Sequence, residues 1–180
     1  WKQVKVFLER IQNSPKLDKV HTDRKVGTTK DWGFRYGPDQ TRGPTTTTAD
    51  GTKLFSSYGS MTYAGLLSFL YAQVEKDDPR VKNAFKWISS EFTVDVNPGM
   101  ATAKDPELAY QGLYYYYHTM AKALAAYGEP LVSDAKGRKH RWAEALSEKL
   151  VALQKKDGHW VNSSDRWWEN IPALDTAFAM

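Results

Sequence analysis

Two kinds of apolar segment alternate along this chain of 180 residues, and that alternation constrains the fold more than any other feature. Residues 2–12 carry Val4, Phe7, Leu8 and Ile11 on one stripe, 79–91 carry Val81, Ala84, Phe85 and Ile88, and 139–155 carry Trp142, Leu146, Leu150 and Leu153. Their other side holds Lys, Arg and Glu, the pattern of a helix that buries one face. Residues 57–74, 106–127 and 171–180 are apolar or small almost all round, and a helix of that kind is buried on every side. The alternation predicts helical hairpins in two layers, amphipathic helices outside and apolar helices inside. Asp78-Pro79 and Asp105-Pro106 read as helix starts, and Gly128 followed by Pro130 as a stop. No segment sustains two-residue alternation, so the predicted fold class is all-α, and a sheet of three or more strands would overturn it. Residues 13–56 read as a long irregular insertion, with Thr45–Thr48 as a surface loop. Thr62, Thr119 and Thr176 stand 57 residues apart, each in an inner segment, which marks an internal repeat.

The turn after the third outer segment is Leu153-Gln154-Lys155-Lys156-Asp157-Gly158-His159-Trp160. Asp157-Gly158 supplies a tight turn past a helix end. The Gln154 amide can bond open backbone groups at a neighbouring helix terminus, with the Trp160 ring over it. These residues read as a structural clasp, with Gln154 and Trp160 mostly buried at a helix–helix corner. The segment resembles the Q-x-x-D-G-x-W turn of the prenyltransferase/squalene oxidase repeat family. Gln12 followed by Asp31-Trp32-Gly33-Phe34, and Ser60-Met61-Thr62-Tyr63-Ala64-Gly65-Leu66 after it, resemble a degenerate copy. The resemblance covers most of the chain and implies an α/α toroid, with an inner ring of helices inside an outer one. The catalytic motifs of that family are missing: no acidic D-x-D-D, no D-D-x-x-D, and no Cys for a zinc site. No metal or cofactor is expected.

Chemistry is therefore sought in the aromatic load of 7 Trp, 10 Tyr and 7 Phe. Tyr114-Tyr115-Tyr116-Tyr117-His118 spans every direction of a buried helix, and each hydroxyl needs a partner or water. His118 and at least two of Tyr114–Tyr117, with Tyr114 and Tyr115 as the candidates, are expected to line one cavity with Tyr58 or Tyr63. His118 is either a general acid/base or a hydrogen-bonded core histidine. Asp165-Arg166-Trp167-Trp168-Glu169, with Asp175 shortly after, puts adjacent indoles beside carboxylates. Trp167, Trp168 and Glu169 are candidate binding residues for a sugar or a cation, and Asp175 is a candidate catalytic acid. Asn162-Ser163-Ser164 matches a glycosylation sequon.

Three readings follow. The first is an isoprenoid enzyme or relative, with aromatic rings facing a carbocation. The second is a non-catalytic domain binding a protein, peptide or glycan. The third is a carbohydrate-active lyase or hydrolase with paired carboxylates. Aromatics alone around the cavity favour isoprenoids, whereas converging carboxylates with exposed Trp favour sugars. The net charge of +4 is scattered along the chain, which argues against a nucleic-acid partner. No apolar run reaches membrane-spanning length. At 57 residues per hairpin the chain holds about three hairpins, so the single domain 1–180 is read as part of a larger ring. Further hairpins of the same polypeptide, or self-association, would cover its inner helices.

Overall fold

The computed structural model describes residues 1–16 and 25–180. Six helices form: α1 Lys2–Ile11, α2 Gly59–Tyr71, α3 Pro79–Ser90, α4 Leu113–Tyr127, α5 Trp142–Leu153 and α6 Pro172–Ala179. Each falls within a segment that periodicity marks as helical. Asp78 caps α3 by accepting from the Arg80 amide, with Pro79 at the first helical position. Gly128, in the left-handed region, closes α4.

The fold class is mixed α and β, which corrects the all-α expectation. Residues 13–56 carry a three-stranded sheet of β1 Val26–Gly27, β2 Thr45–Thr47 and β3 Lys53–Phe55, in the order β1-β3-β2. β1 runs parallel to β3 and β2 antiparallel to it. The threonine run is thus a strand, not a loop. β-Branched residues favour extended backbone, but all three β2 residues are exposed. No alternation was there to be read. A second sheet pairs β4 Leu131–Ser133 with β5 Lys139–Arg141, so the predicted helix 139–155 begins as a strand. The predicted helix 106–127 is also two pieces, a 3₁₀ turn at Pro106–Tyr110 and then α4, broken by Gly112 at φ 65°.

The core is where the two periodicities place it. α2 and α4 pack along each other, and α3 and α6 pack against them. Leu66, Phe69, Ala84, Ile88, Tyr116, Met120 and Leu124 are sealed between them. α1 buries only Leu8 and Ile11, and α5 only Leu146, as amphipathic outer helices should. α6 departs from expectation, because only Asp175 of it is buried. It meets α4 along a single face, through Phe178 against Tyr115 and His118.

The clasp occurs twice, in unequal form. Gln12 is buried, and its amide donates to the carbonyl of Arg80 in the first turn of α3 (2.8 Å) and to that of Trp32 (3.1 Å). Gln154 is exposed and turns back on its own loop, donating to Gly158 O at 2.8 Å. Trp160 is half-buried, its indole N–H on Leu150 O (2.8 Å). The expectation that Gln154 is buried is therefore corrected. A glutamine amide left in water gains little from reaching out, so it closes the local turn. Thr62 accepts from the Phe34 amide at 3.0 Å, and Thr176 from the Trp160 amide at 3.2 Å. Thr119 does neither and bonds Tyr115 O and Tyr116 O of its own helix. There the loop is held instead by Tyr116 and Tyr117, whose hydroxyls donate to Thr93 O (2.7 Å) and Val94 O (2.8 Å). The asymmetry sets an expected result. Gln12→Ala removes a buried amide from two part-buried carbonyls and costs about 1–2 kcal/mol, while Gln154→Ala costs less than about 0.5 kcal/mol. Urea unfolding of both variants checks this, and equal losses would make the clasps equivalent.

Candidate functional site

The N-termini of α2, α4 and α6 lie at one end of the molecule, and polar side chains tie them together. Asn97 accepts from the Ser60 amide in the first turn of α2 (3.0 Å) and donates to Gln111 O, just before α4 (3.2 Å). Glu169 does the corresponding work one hairpin later. Its Oε1 accepts from the Tyr115 amide at 2.9 Å, and the Leu113 and Tyr114 amides also point to this carboxylate. A helix N-terminus presents just such unpaired N–H groups. Burial lifts the Glu169 carboxyl above its usual range, and these donors oppose the rise.

Asp175, in α6, is fully buried beside it. Its Oδ2 accepts from the Asn162 amide at 2.7 Å, while Oδ1 has no partner. Burial pushes this carboxyl up to about 7, with the Glu169 charge adding to the rise. The Asn162 side chain is fully engaged, donating to Tyr110 O and Glu169 Oε2, both at 2.7 Å. The sequon asparagine thus has a structural duty.

Around these carboxylates the surface is aromatic. Trp167 and Trp168 both take left-handed backbone, at φ 57° and 65°, a conformation that costs non-glycine residues about 1–2 kcal/mol. The Trp168 amide on Asp165 O and the Ile171 amide on Trp168 O hold it. Trp167 leans on Gly112, where a Cβ would come within 2.9 Å of the indole. That close approach requires glycine there. Arg166 stacks on Trp167 at 5.3 Å. Trp168 is left 70% exposed, Tyr36 43%, Tyr110 38% and Tyr115 36%.

The sequence-derived candidates divide accordingly. Glu169, Asp175, Trp167, Trp168, Tyr114 and Tyr115 come together at this end, and Tyr58, the N-cap of α2, joins them. Tyr63 does not: it is buried edge-on against Tyr116 (5.6 Å). Tyr116 and Tyr117 are likewise core, their hydroxyls already bonded. His118 is half-buried against Phe178. Burial, then the Lys122 charge, hold it below its usual range, opposed by the Phe178 carbonyl. The turn residues Asp157 and Gly158 follow the C-terminus of α5, in a tight turn closed by the Lys155 and Gly158 amides.

Two clefts open among the described residues at α1–α3 and beside Tyr110, and neither is lined by the tyrosines expected to form a chamber. One, of about 610 Å³, lies between α1 and the start of α3, with Arg10, Gln12, Trp32 and Arg80 on its walls. The other, of about 210 Å³, lies between Tyr110, Gln111 and Ser163-Ser164 and opens beside the aromatic end. Among the described residues no group of His, Asp and Glu converges as metal ligands, and no helix is long and apolar enough to cross a membrane. Sequence reasoning missed Tyr36, Arg42, Tyr110 and Asn97. Tyr36, Arg42 and Asn97 are lone residues in irregular chain and Tyr110 ends a 3₁₀ turn, and only the fold brings them to the helix ends. Compared with family models, curated proteins and solved structures, the chain matches none.

Proposed function

We propose that this is a non-catalytic glycan-binding domain of the prenyltransferase/squalene oxidase repeat kind, with its binding face at the clustered N-termini of α2, α4 and α6. One observation carries the reading: Trp168, Tyr36, Tyr110 and Tyr115 are exposed aromatics on the segments that meet here, with Trp168 next to the Glu169 that caps α4, Tyr110 bonded to Asn162 and Tyr36 near Tyr115. Sugar rings stack their C–H faces on such side chains, and one end of each aromatic stays wet. The two carboxylates that converge here, Glu169 and Asp175, are sealed from solvent. That favours binding over hydrolysis, because a general acid must reach the glycosidic oxygen. The resemblance to the repeat family draws support from the two clasps and from the shared task of Thr62 and Thr176.

The test is calorimetric titration with a panel of oligosaccharides, alongside a farnesyl diphosphate analogue. A glycan is expected to bind, and Trp168→Ala to weaken it about tenfold, the loss of one stacking contact of about 1.4 kcal/mol. Binding of the farnesyl analogue with no response to any sugar would return the isoprenoid reading. Release of reducing ends would make the domain a hydrolase.

A further inference from the structure

Resting on that reading, we propose that the sugar taken at this face is an anionic one, a pyranose bearing a carboxylate or a sulfate, held by Arg42 together with Tyr36 and Tyr115, above the buried ring of Tyr58. Four side chains from three separate parts of the chain make this site. Tyr36 and Arg42 come from the stretch that precedes β2, Tyr58 caps α2, and Tyr115 lies in the first turn of α4. The Arg42 guanidinium stands 5.0 Å from the centre of the Tyr36 ring. Tyr58 is within electrostatic reach of Tyr115, Tyr36 and Arg42, and Tyr115 is within reach of Tyr36. Gly43 brings the backbone against the Tyr58 ring, where a Cβ would come within 3.0 Å.

The backbone carrying Tyr36 and Arg42 is well anchored. Arg35 is completely buried, donating to Gly27 O at 3.0 Å and Arg10 O at 3.3 Å. The Arg35 amide bonds Ile11 O, and the Gly37 amide bonds Gln40 O. Tyr36 and Arg42 are therefore held by a fixed frame.

The hydroxyls of Tyr116 and Tyr117 are used inside the fold, whereas Tyr36 and Tyr115 are exposed and Tyr58 lies buried between them and the core. Arg42 is exposed and stacks on Tyr36. A guanidinium braced on a ring keeps its N–H fork free for a planar carboxylate or a sulfate face. The exposed phenol groups of Tyr36 and Tyr115 can donate to the same oxygens or to ring hydroxyls. The acids nearest this end do not oppose an anion at Arg42: Glu169 and Asp175 are buried beneath α4, while Asp105, Glu107 and Asp165 border the Ser163 side. The Asp39 charge is felt by the buried Arg35 guanidinium.

Calorimetry with three oligosaccharides of equal length, one built of uronates, one sulfated and one neutral, tests this at low and high salt. The anionic sugars are expected to bind at least tenfold tighter than the neutral one at low salt, and the margin to shrink as salt rises. The ratio of uronate to sulfate binding tells which anion the site takes. Arg42→Ala should bring acidic and neutral sugars to equal affinity, with an unchanged melting temperature, because the side chain is exposed. Arg166→Ala, on the Trp167 side, should leave the ratio intact. Equal binding of all three sugars by the unaltered protein would overturn the anion site and leave the glycan reading standing. Binding of inorganic sulfate lost in Arg42→Ala, with no sugar bound, would support the anion site and overturn the glycan reading. No binding of any probe would overturn both.

Discussion

Replacing Glu169 with alanine is expected to destabilise the protein by about 3–4 kcal/mol and lower its melting temperature by roughly 6–15 °C. The side chain is buried and accepts from the first-turn amides of α4. Truncation leaves those donors facing apolar surroundings, and each buried unmet donor costs about 1–3 kcal/mol. It also frees the Asn162 amide, bonded to Oε2 at 2.7 Å. Glu169→Gln keeps the shape and one accepting oxygen, so its loss should stay below about 1.5 kcal/mol. Thermal and urea unfolding of the pair separates capping from charge. Equal losses in both variants would show that the negative charge, rather than the accepting oxygens, secures α4.

Asp175→Asn is expected to stabilise the protein above neutral pH. In the unfolded chain this carboxyl ionises near 3.8, whereas in the fold it holds its proton to about 7. Between those values the native state keeps a proton that the unfolded state has lost. Stability therefore falls as pH rises through this window, by at most about 4 kcal/mol, and levels off above it. The structural cause is the sealed position of Asp175, its unpartnered Oδ1 and the Glu169 charge nearby. Asparagine has no charge to bury, so the variant should exceed the original by about 1–3 kcal/mol at about pH 8 and lose that advantage at about pH 4. His118, held below its usual value, works in the opposite sense, and Asp134 is held low by His140 and Arg138 and acts only in more acid solution. The difference between the two proteins isolates Asp175. An asparagine variant that is less stable at about pH 8 would mean that the ionised carboxylate is satisfied where it lies.

These two acids show how far the sequence could be read. Their place next to adjacent indoles marked both as chemistry-bearing, and both do meet at the aromatic end. Their tasks could not be read. Glu169 serves the first turn of α4, 54 residues earlier in the chain, and no local pattern announces a cap supplied from so far away. The tyrosine run illustrates the same limit. Four consecutive tyrosines on a helix must point in every direction, but which hydroxyls are used depends on what lies opposite. Tyr116 and Tyr117 meet the Thr93 and Val94 carbonyls, whereas Tyr115 meets the surface.

The positions of the six helices among the described residues were determined by the sequence alone, as was the contrast between the half-exposed α1, α3 and α5 and the buried α2 and α4, whereas α6, read as buried all round, buries only Asp175. The helix signals are periodic burial, Pro after Asp at a helix start and Gly at a helix end, and each signal arises within a few residues. The short strands were decided by tertiary structure. Two or three residues hold too little pattern to be seen, and β2 exists because β3 offers it a ladder of backbone partners. The unequal clasps were decided in the same way. Gln12 and Gln154 carry the same amide, but the Arg80 carbonyl stands within 2.8 Å of one, while the other closes on its own turn. The binding face is tertiary in origin too. Tyr36 and Arg42 become neighbours of Tyr58 and Tyr115 only when the buried Arg35 fixes the preceding backbone against α1, a contact made between residues far apart in the chain.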